Sequence, residues 1–231
     1  AHGEQSISIL WIDDCDPRKN PDFCKETSSL KLFDQFYGAI TAINAFLSYQ
    51  IPVAESDLNR YDVVIANFCG SASQEKIIGW LKSYVTSGGS VIAMGDNFCL
   101  GVGPINGNWV SSAQVANSFT QNWGISFTED DDVLLQWADP ILVHPLTDSI
   151  TKIYAYRHAY LSVQNPSQVI AKMGDKPFIG LYDQTGTVVA IPDVGFHWGI
   201  DFKQEISTSD NFTFWRNMFT WLSEQSQSKH K

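Results

Sequence analysis

The sequence has few basic residues, and this scarcity argues against several classes of partner. Its 231 residues include 15 Lys and Arg against 25 Asp and Glu, which gives a formal net charge of −10. Neutralising phosphates requires clustered Lys and Arg, so this balance argues against a nucleic-acid partner and against an anionic membrane surface. No apolar run approaches the roughly 20 residues of a membrane-spanning helix. The sequence therefore predicts neither nucleic-acid binding nor a membrane span.

Several catalytic and metal-binding motifs are also missing. The sequence has no G-x-S-x-G motif, so a serine hydrolase is not supported. Its four cysteines include no C-x₂-C pair, which argues against a zinc site. The Gly-rich stretch "GVGPING" has no following Lys and lies among acidic residues, so it does not predict phosphate binding. We predict no cofactor.

Apolar runs in the first half of the chain are typical of buried strands. "SISILWI" at 6–12, "YDVVIANFC" at 61–69 and "SVIAMGD" at 90–96 are apolar on both faces, as interior strands of a parallel sheet are. "IPVAE" at 51–55 indicates a further short strand.

Helical patterns alternate with these strands. Apolar residues recur at helical spacing from Leu30 to Leu47, and helices are also indicated at 73–89 and 111–124. This alternation predicts an α/β fold, with a mostly parallel sheet covered by helices on both sides.

The second half has a different pattern. Strand-like stretches at 152–163, 167–174, 176–183 and 187–193 are separated by turn residues, and they predict an antiparallel meander that extends the sheet or packs at its edge. The stretch "SDNFTFWRNMFTWLSEQ" at 209–225 predicts a closing helix with Ser209 or Asp210 as its N-cap. It contains the glycosylation sequon "NFT".

We interpret residues 1–231 as one domain. Residues 6–127 form the predicted parallel core, residues 128–208 the β-rich extension, and residues 209–226 the closing helix.

The order of these elements resembles a known family. "ILWIDD", "YDVVIANFCG" and "SGGSVIAMGD", each followed by a helical or turn segment, are similar to the class I glutamine amidotransferase-like superfamily. The resemblance covers about residues 6–127 and the final helix, and it is nearest to branches that lack the catalytic triad and often occur in secreted bacterial proteins. It implies a flavodoxin-like three-layer sandwich.

This sequence can be aligned with the family's nucleophile position in two ways. In the simpler one, Gly95 and Asp96 directly follow the strand, so the nucleophilic cysteine is absent. In the other, "NFCLG" resembles the family's nucleophile turn with Cys99 as nucleophile, and "VGFHWG" resembles its histidine motif with His197 as general base. The residues after His197 depart from the family pattern, and this alignment also requires a longer strand. We favour the first alignment.

The cysteines offer a competing structural explanation. Cys15, Cys69 and Cys99 all follow predicted parallel strands, and Cys24 lies in the same loop as Cys15. We favour two disulfides, Cys15–Cys24 and Cys69–Cys99; a free catalytic Cys99 and a zinc site are the alternatives. The even number of cysteines and a start at "AHGEQ" without Met fit a secreted protein, extracellular or periplasmic.

Acidic residues gather at the same predicted rim. Asp13, Asp14, Asp16 and Asp96 belong to this rim. We interpret Asp13 or Asp14 as capping a helix or bonding loop amides, with a divalent cation held by several of the four as the alternative. The acidic cluster at 129–132 is interpreted as a solvated loop.

These observations predict a ligand crevice, because the carboxyl ends of parallel strands meet at one side of an open sheet. Its predicted lining is Asp13, Asp14, Cys69, Gly70, Asp96, Asn97 and Trp109. We therefore expect a secreted non-catalytic binding or accessory module whose partner is a small molecule, a carbohydrate or a protein. The alternative is a cysteine-dependent hydrolase or amidotransferase-like enzyme, with Cys99 attacking an amide or ester carbonyl and His197 as base.

Overall fold

The computed structural model describes residues 6–13, 30–97, 102–105, 108–130, 136–139, 141–155, 158–194, 196 and 210–229. The strands are β1 Ile7–Trp11, β2 Ala45–Tyr49, β3 Val63–Asn67, β4 Ser90–Met94, β5 Val102–Ile105, β6 Asn108–Val110, β7 Ile125–Phe127, β8 Gln136–Ala138, β9 Ile153–Ala155, β10 Leu161–Val163, β11 Gln168–Met173, β12 Lys176–Asp183 and β13 Thr187–Ile191. The α-helices are α1 Leu30–Thr41, α2 Glu75–Thr86, α3 Ser112–Thr120 and α4 Asn211–Lys229. Short 3₁₀ helices span Glu55–Arg60, Ser71–Ser73, Gln121–Trp123 and Pro145–Thr147.

A seven-stranded sheet with the order β11-β12-β13-β4-β3-β1-β2 forms the centre of the fold. The strands β2, β1, β3, β4 and β13 run parallel to one another, and β12 and β11 continue the sheet in antiparallel pairs. Within the parallel part, the chain order reverses between β1 and β3, as in flavodoxin-like folds. The predicted flavodoxin-like α/β class with an antiparallel extension is confirmed.

Helices cover both faces of this sheet. On one face, α1 and α4 pack against side chains such as Ile9, Ile65 and Val189. On the other, α2 and α3 pack against the alternating residues, including Val64 and Ala93. Because interior strands are buried on both faces, their near-continuous apolar sequences have a direct structural reason.

Strand β13 belongs to the parallel part of the sheet, although the sequence analysis places it in the antiparallel meander. It pairs with β4 from Thr187 opposite Ser90 to Ile191 opposite Met94. All five of its residues are buried. This two-sided burial is typical of an interior parallel strand, and the short connection that follows β12 concealed it in the sequence.

The first helix and the second strand also differ from expectation. The helix ends at Thr41, and the second strand is Ala45–Tyr49 rather than 51–55. Asn44 lies between them with φ 53°, a left-handed conformation that Asn tolerates better than most residues. Pro52 has no N–H for a strand ladder, which disfavours the predicted strand at 51–55.

Candidate functional site

The carboxyl ends of the parallel strands form one rim, as the sequence predicts. The described residues that follow these strands are Asp13 after β1, Phe68, Cys69 and Gly70 after β3, Gly95, Asp96 and Asn97 after β4, and Asp193 and Val194 after β13. The order reversal between β1 and β3 is the point at which ligands bind in open α/β sheets.

Asp13 and Gly70 meet at this point. A Cβ atom added to Gly70 would lie 3.0 Å from Oδ2 of Asp13, which is closer than real Cβ contacts tolerate easily. Glycine therefore allows the Asp13 carboxylate to approach the backbone at the end of β3. The structure thus brings together two residues that the sequence analysis assigned to the crevice.

Asn67 ties two strand ends together, and the sequence analysis missed it. Its Oδ1 accepts a hydrogen bond from the Cys69 N–H at 3.0 Å, and its Nδ2 donates to the Val194 carbonyl at 3.4 Å. An asparagine at the last position of a buried strand was the available signal, because a side chain that can both donate and accept suits the turn that follows.

The turn after β4 is closed by packing and hydrogen bonds. A Cβ atom on Gly95 would lie 3.0 Å from both the Ala116 Cβ and the Ser112 carbonyl, so Gly95 is pressed against α3. Asp96 is 2% exposed. Its N–H donates to Ser112 Oγ at 2.8 Å, and its carbonyl accepts from Ser112 Oγ at 2.7 Å and from the Ala113 N–H at 2.9 Å.

The Asp96 carboxylate acts within the protein. Its Oδ2 accepts from the Val194 N–H at 3.4 Å, and so it joins the turn after β4 to the turn after β13. Because Val194 also accepts from Asn67, the ends of β3, β4 and β13 share one hydrogen-bond network. The sequence predicts that Asp96 lines the crevice; in the structure its carboxylate is buried and bonded to the neighbouring turn.

Asn97 connects the same turn to the start of α3. Its Nδ2 donates to the Thr128 carbonyl at 3.0 Å, and its Oδ1 accepts from Ser111 Oγ at 3.1 Å. Ser111 is the N-cap of α3 and accepts from the Gln114 N–H at 3.2 Å. Asn97 therefore fixes the rim beside α3.

The cysteines and the predicted dyad are described only in part. Cys69 carries no free thiol, because its sulfur is disulfide-bonded. Asp14, Cys15, Cys24, Cys99 and His197 lie outside the described residues, and of Trp109 only the backbone in β6 is described. The pairings Cys15–Cys24 and Cys69–Cys99, and the dyad of Cys99 and His197, stay predictions.

Within the ranges given above, no three His, Cys, Asp or Glu side chains are placed to hold a metal ion. Within the same ranges, none of the helices is both long enough and apolar enough to cross a membrane.

Comparison with protein-family models and with curated proteins finds no match. Solved structures share the fold. Cytoplasmic Protein STM1381 from Salmonella typhimurium LT2 has a TM-score of 0.66 and 14% identity, with 94% of this chain and 99% of that chain covered. The mmIFT52 N-terminal domain has a TM-score of 0.62 and 14% identity, with 95% and 97% covered. A ThuA-like protein from Parabacteroides merdae has a TM-score of 0.50 and 10% identity, with 94% and 89% covered. At these identities the likeness concerns the fold alone.

Proposed function

We propose that this chain is a secreted, non-catalytic binding or accessory module related to the amidotransferase-like superfamily. Its ligand lies in the crevice at the carboxyl ends of β1, β3 and β4, and it is a neutral, hydroxyl-bearing molecule such as an oligosaccharide. The ThuA-like structural neighbour is consistent with this family relationship.

One observation carries the non-catalytic part of the proposal: the turn after β4 is occupied by Gly95 and Asp96, and both are committed to packing. A nucleophile must stand exposed on this turn, within reach of a base. Gly95 instead contacts α3, and Asp96 is buried with its carboxylate bonded to the Val194 N–H. These contacts favour the alignment in which the nucleophile is absent.

The chemistry of the crevice favours a neutral ligand. Asp13 lies at the switch point, half-buried beside the bare backbone of Gly70, where a carboxylate can accept hydrogen bonds from ligand hydroxyl groups. The net charge of −10 disfavours an anionic ligand at the same place. A sugar hydroxyl supplies the donor without a negative charge.

A binding measurement tests this proposal. Isothermal titration calorimetry against neutral gluco-, manno- and xylo-oligosaccharides should detect binding to the native chain. Asp13→Asn should weaken it roughly tenfold or more, since a charge-assisted hydrogen bond is lost. Asp148→Asn changes an exposed carboxylate elsewhere and should leave binding unchanged. Failure of every oligosaccharide to bind would refute the proposed ligand class.

A free-thiol count tests the non-catalytic and secreted parts. Disulfides persist in oxidising compartments, so the bonded Cys69 supports secretion. We expect no free thiol in the denatured, unreduced protein, and peptide mapping should join Cys69 to Cys99. A single reactive thiol at Cys99, together with hydrolysis of amide or ester substrates that His197→Ala abolishes, would instead establish the cysteine hydrolase.

A further inference from the structure

A second cavity lies at the amino-terminal ends of the parallel strands, opposite the crevice. Its volume is 490 Å³, which falls in the range of roughly 300–1,000 Å³ in which small molecules bind. The 3₁₀ helix Glu55–Arg60, the residues that lead into β3, the end of α2 and the last turns of α4 line this open cavity. None of the described crevice residues lines this cavity, so we treat it as a separate site.

The floor of this cavity is polar and fixed. Tyr84 is 2% exposed, and its hydroxyl donates to the Tyr61 carbonyl at 2.8 Å. Ser226, also 2% exposed, lines the cavity together with Tyr84. Burial raises the pKa of Tyr84, so this hydroxyl stays protonated at any physiological pH. The floor is therefore neutral, and the charges of the cavity lie around its mouth.

The mouth carries charges of both signs. Arg60 has a side chain that is 65% exposed, and one of its amino groups donates to Asp57 at 2.7 Å. A guanidinium has several further N–H donors in a planar fork, so this bond leaves donors for a ligand. Glu55 is exposed, and Asp62 is half-buried, where it is held by hydrogen bonds from Ser8.

We propose that this cavity binds the zwitterionic head of a free α-amino acid. The ligand carboxylate pairs with the Arg60 guanidinium, which matches a carboxylate in two-point geometry. The ligand ammonium lies against the carboxylates of Glu55 and Asp62. An anion would meet the carboxylates of Glu55 and Asp62 beside the Arg60–Asp57 ion pair, and a cation would meet the guanidinium, so a molecule that carries both charges satisfies this mouth best.

Thermal-shift titration of the full chain tests the proposal. The probes are the common L-amino acids, followed by the N-acetyl and the amide derivative of the one that stabilises most. The amino acid should raise the melting temperature by roughly 3–6 °C at ten times its Kd, given one ligand per folded chain. The two derivatives each lack one charge and should shift it much less. No shift with any amino acid, or equal shifts with the derivatives, would overturn the proposal.

Substitutions at the mouth locate the site. Arg60→Gln should raise the Kd of the amino acid roughly tenfold or more, and Glu55→Gln should also raise it. The matched control is Arg216→Gln on α4, which contacts Thr213 outside the cavity and should leave the Kd unchanged. Asp13→Asn should leave it unchanged too, which separates this site from the crevice. Wild-type affinity in both mouth variants would refute the assignment.

Discussion

Asn211 joins the closing helix to the β-rich extension, and its truncation provides a sharp test of the structure. The side chain is 3% exposed. Its Oδ1 accepts from the Tyr154 N–H at 2.9 Å, and its Nδ2 donates to the Tyr154 carbonyl at 2.8 Å. The amide therefore takes the place of a neighbouring strand for one residue of β9, and Asn211→Ala removes both bonds at once.

The expected loss of stability follows from the buried polar groups that Asn211→Ala leaves without their partner. After truncation, a buried N–H and a buried carbonyl lose their partner, and each unsatisfied group costs about 1–3 kcal/mol. Asn211→Ala should therefore lower the free energy of unfolding by about 2–5 kcal/mol. In a chain of this size that corresponds to a fall in melting temperature of roughly 5–15 °C.

Chemical denaturation of the native protein, Asn211→Ala and Asn217→Ala measures the free energy of unfolding of each. Asn217→Ala is the control, because it makes the same change on the same helix, where the side chain's shorter bond, 2.8 Å to the Asp148 carbonyl, is exposed. It should lose about 1 kcal/mol or less. If Asn211→Ala lost no more stability than Asn217→Ala, the assigned contact between α4 and β9 would be wrong.

Three further predictions concern other parts of the chain. In a host that glycosylates N-x-T sequons, the natively folded protein should carry an unmodified Asn211, because its Nδ2 is already bonded to Tyr154 in a buried position; a glycan there in folded protein, seen by peptide mass, would contradict this. Gly79→Ala should raise the free energy of unfolding by about 0.5–1 kcal/mol, since Gly79 is exposed in α2 with nothing within 4 Å of an added Cβ; a loss of stability on denaturation would count against it. Burial lowers the pKa of His144, an effect that Asp183 partly opposes, and its Nδ1 accepts from the Leu146 N–H at 3.2 Å only when neutral. The contribution of His144 to stability is thus full above the unfolded pKa of about 6.5, and it is lost as the pH falls through the lowered folded pKa. The melting temperature of His144→Asn should therefore depend less on pH than that of the native protein.

Strands and helices that leave a periodic apolar pattern could be predicted from the sequence. Two-sided apolar runs identified β1, β3 and β4, and helical spacing identified α2 and α3, because burial on both faces or on one stripe leaves a direct trace in residue order. The meeting of Asp13 and Gly70 followed from topology, since the ends of adjacent parallel strands share one side of the sheet.

Features that depend on distant partners could not be predicted in this way. Helical spacing continued by chance through Ile43 to Leu47, and Leu47 is a strand residue because β1 offers it a partner. The expected N-cap residue Asp210 uses its Oδ2 for the Thr151 and Lys152 N–H groups instead. Burial alone would raise the pKa of Asp210, but these bonds lower it. Local sequence cannot show which of two acceptable partners a carboxylate finds.

The geometry of the turn after β4 supports the non-catalytic part of the proposed function. In the alignment that we favour, Gly95 corresponds to the position of the family's catalytic cysteine. Here any Cβ at that position would meet the Ala116 side chain and the Ser112 carbonyl at 3.0 Å. A cysteine at residue 95 would therefore crowd against α3 as it is packed here. Because α3 packs closely against the turn after β4, the proposed ligand is placed toward β1 and β3, where Asp13 lies beside Gly70.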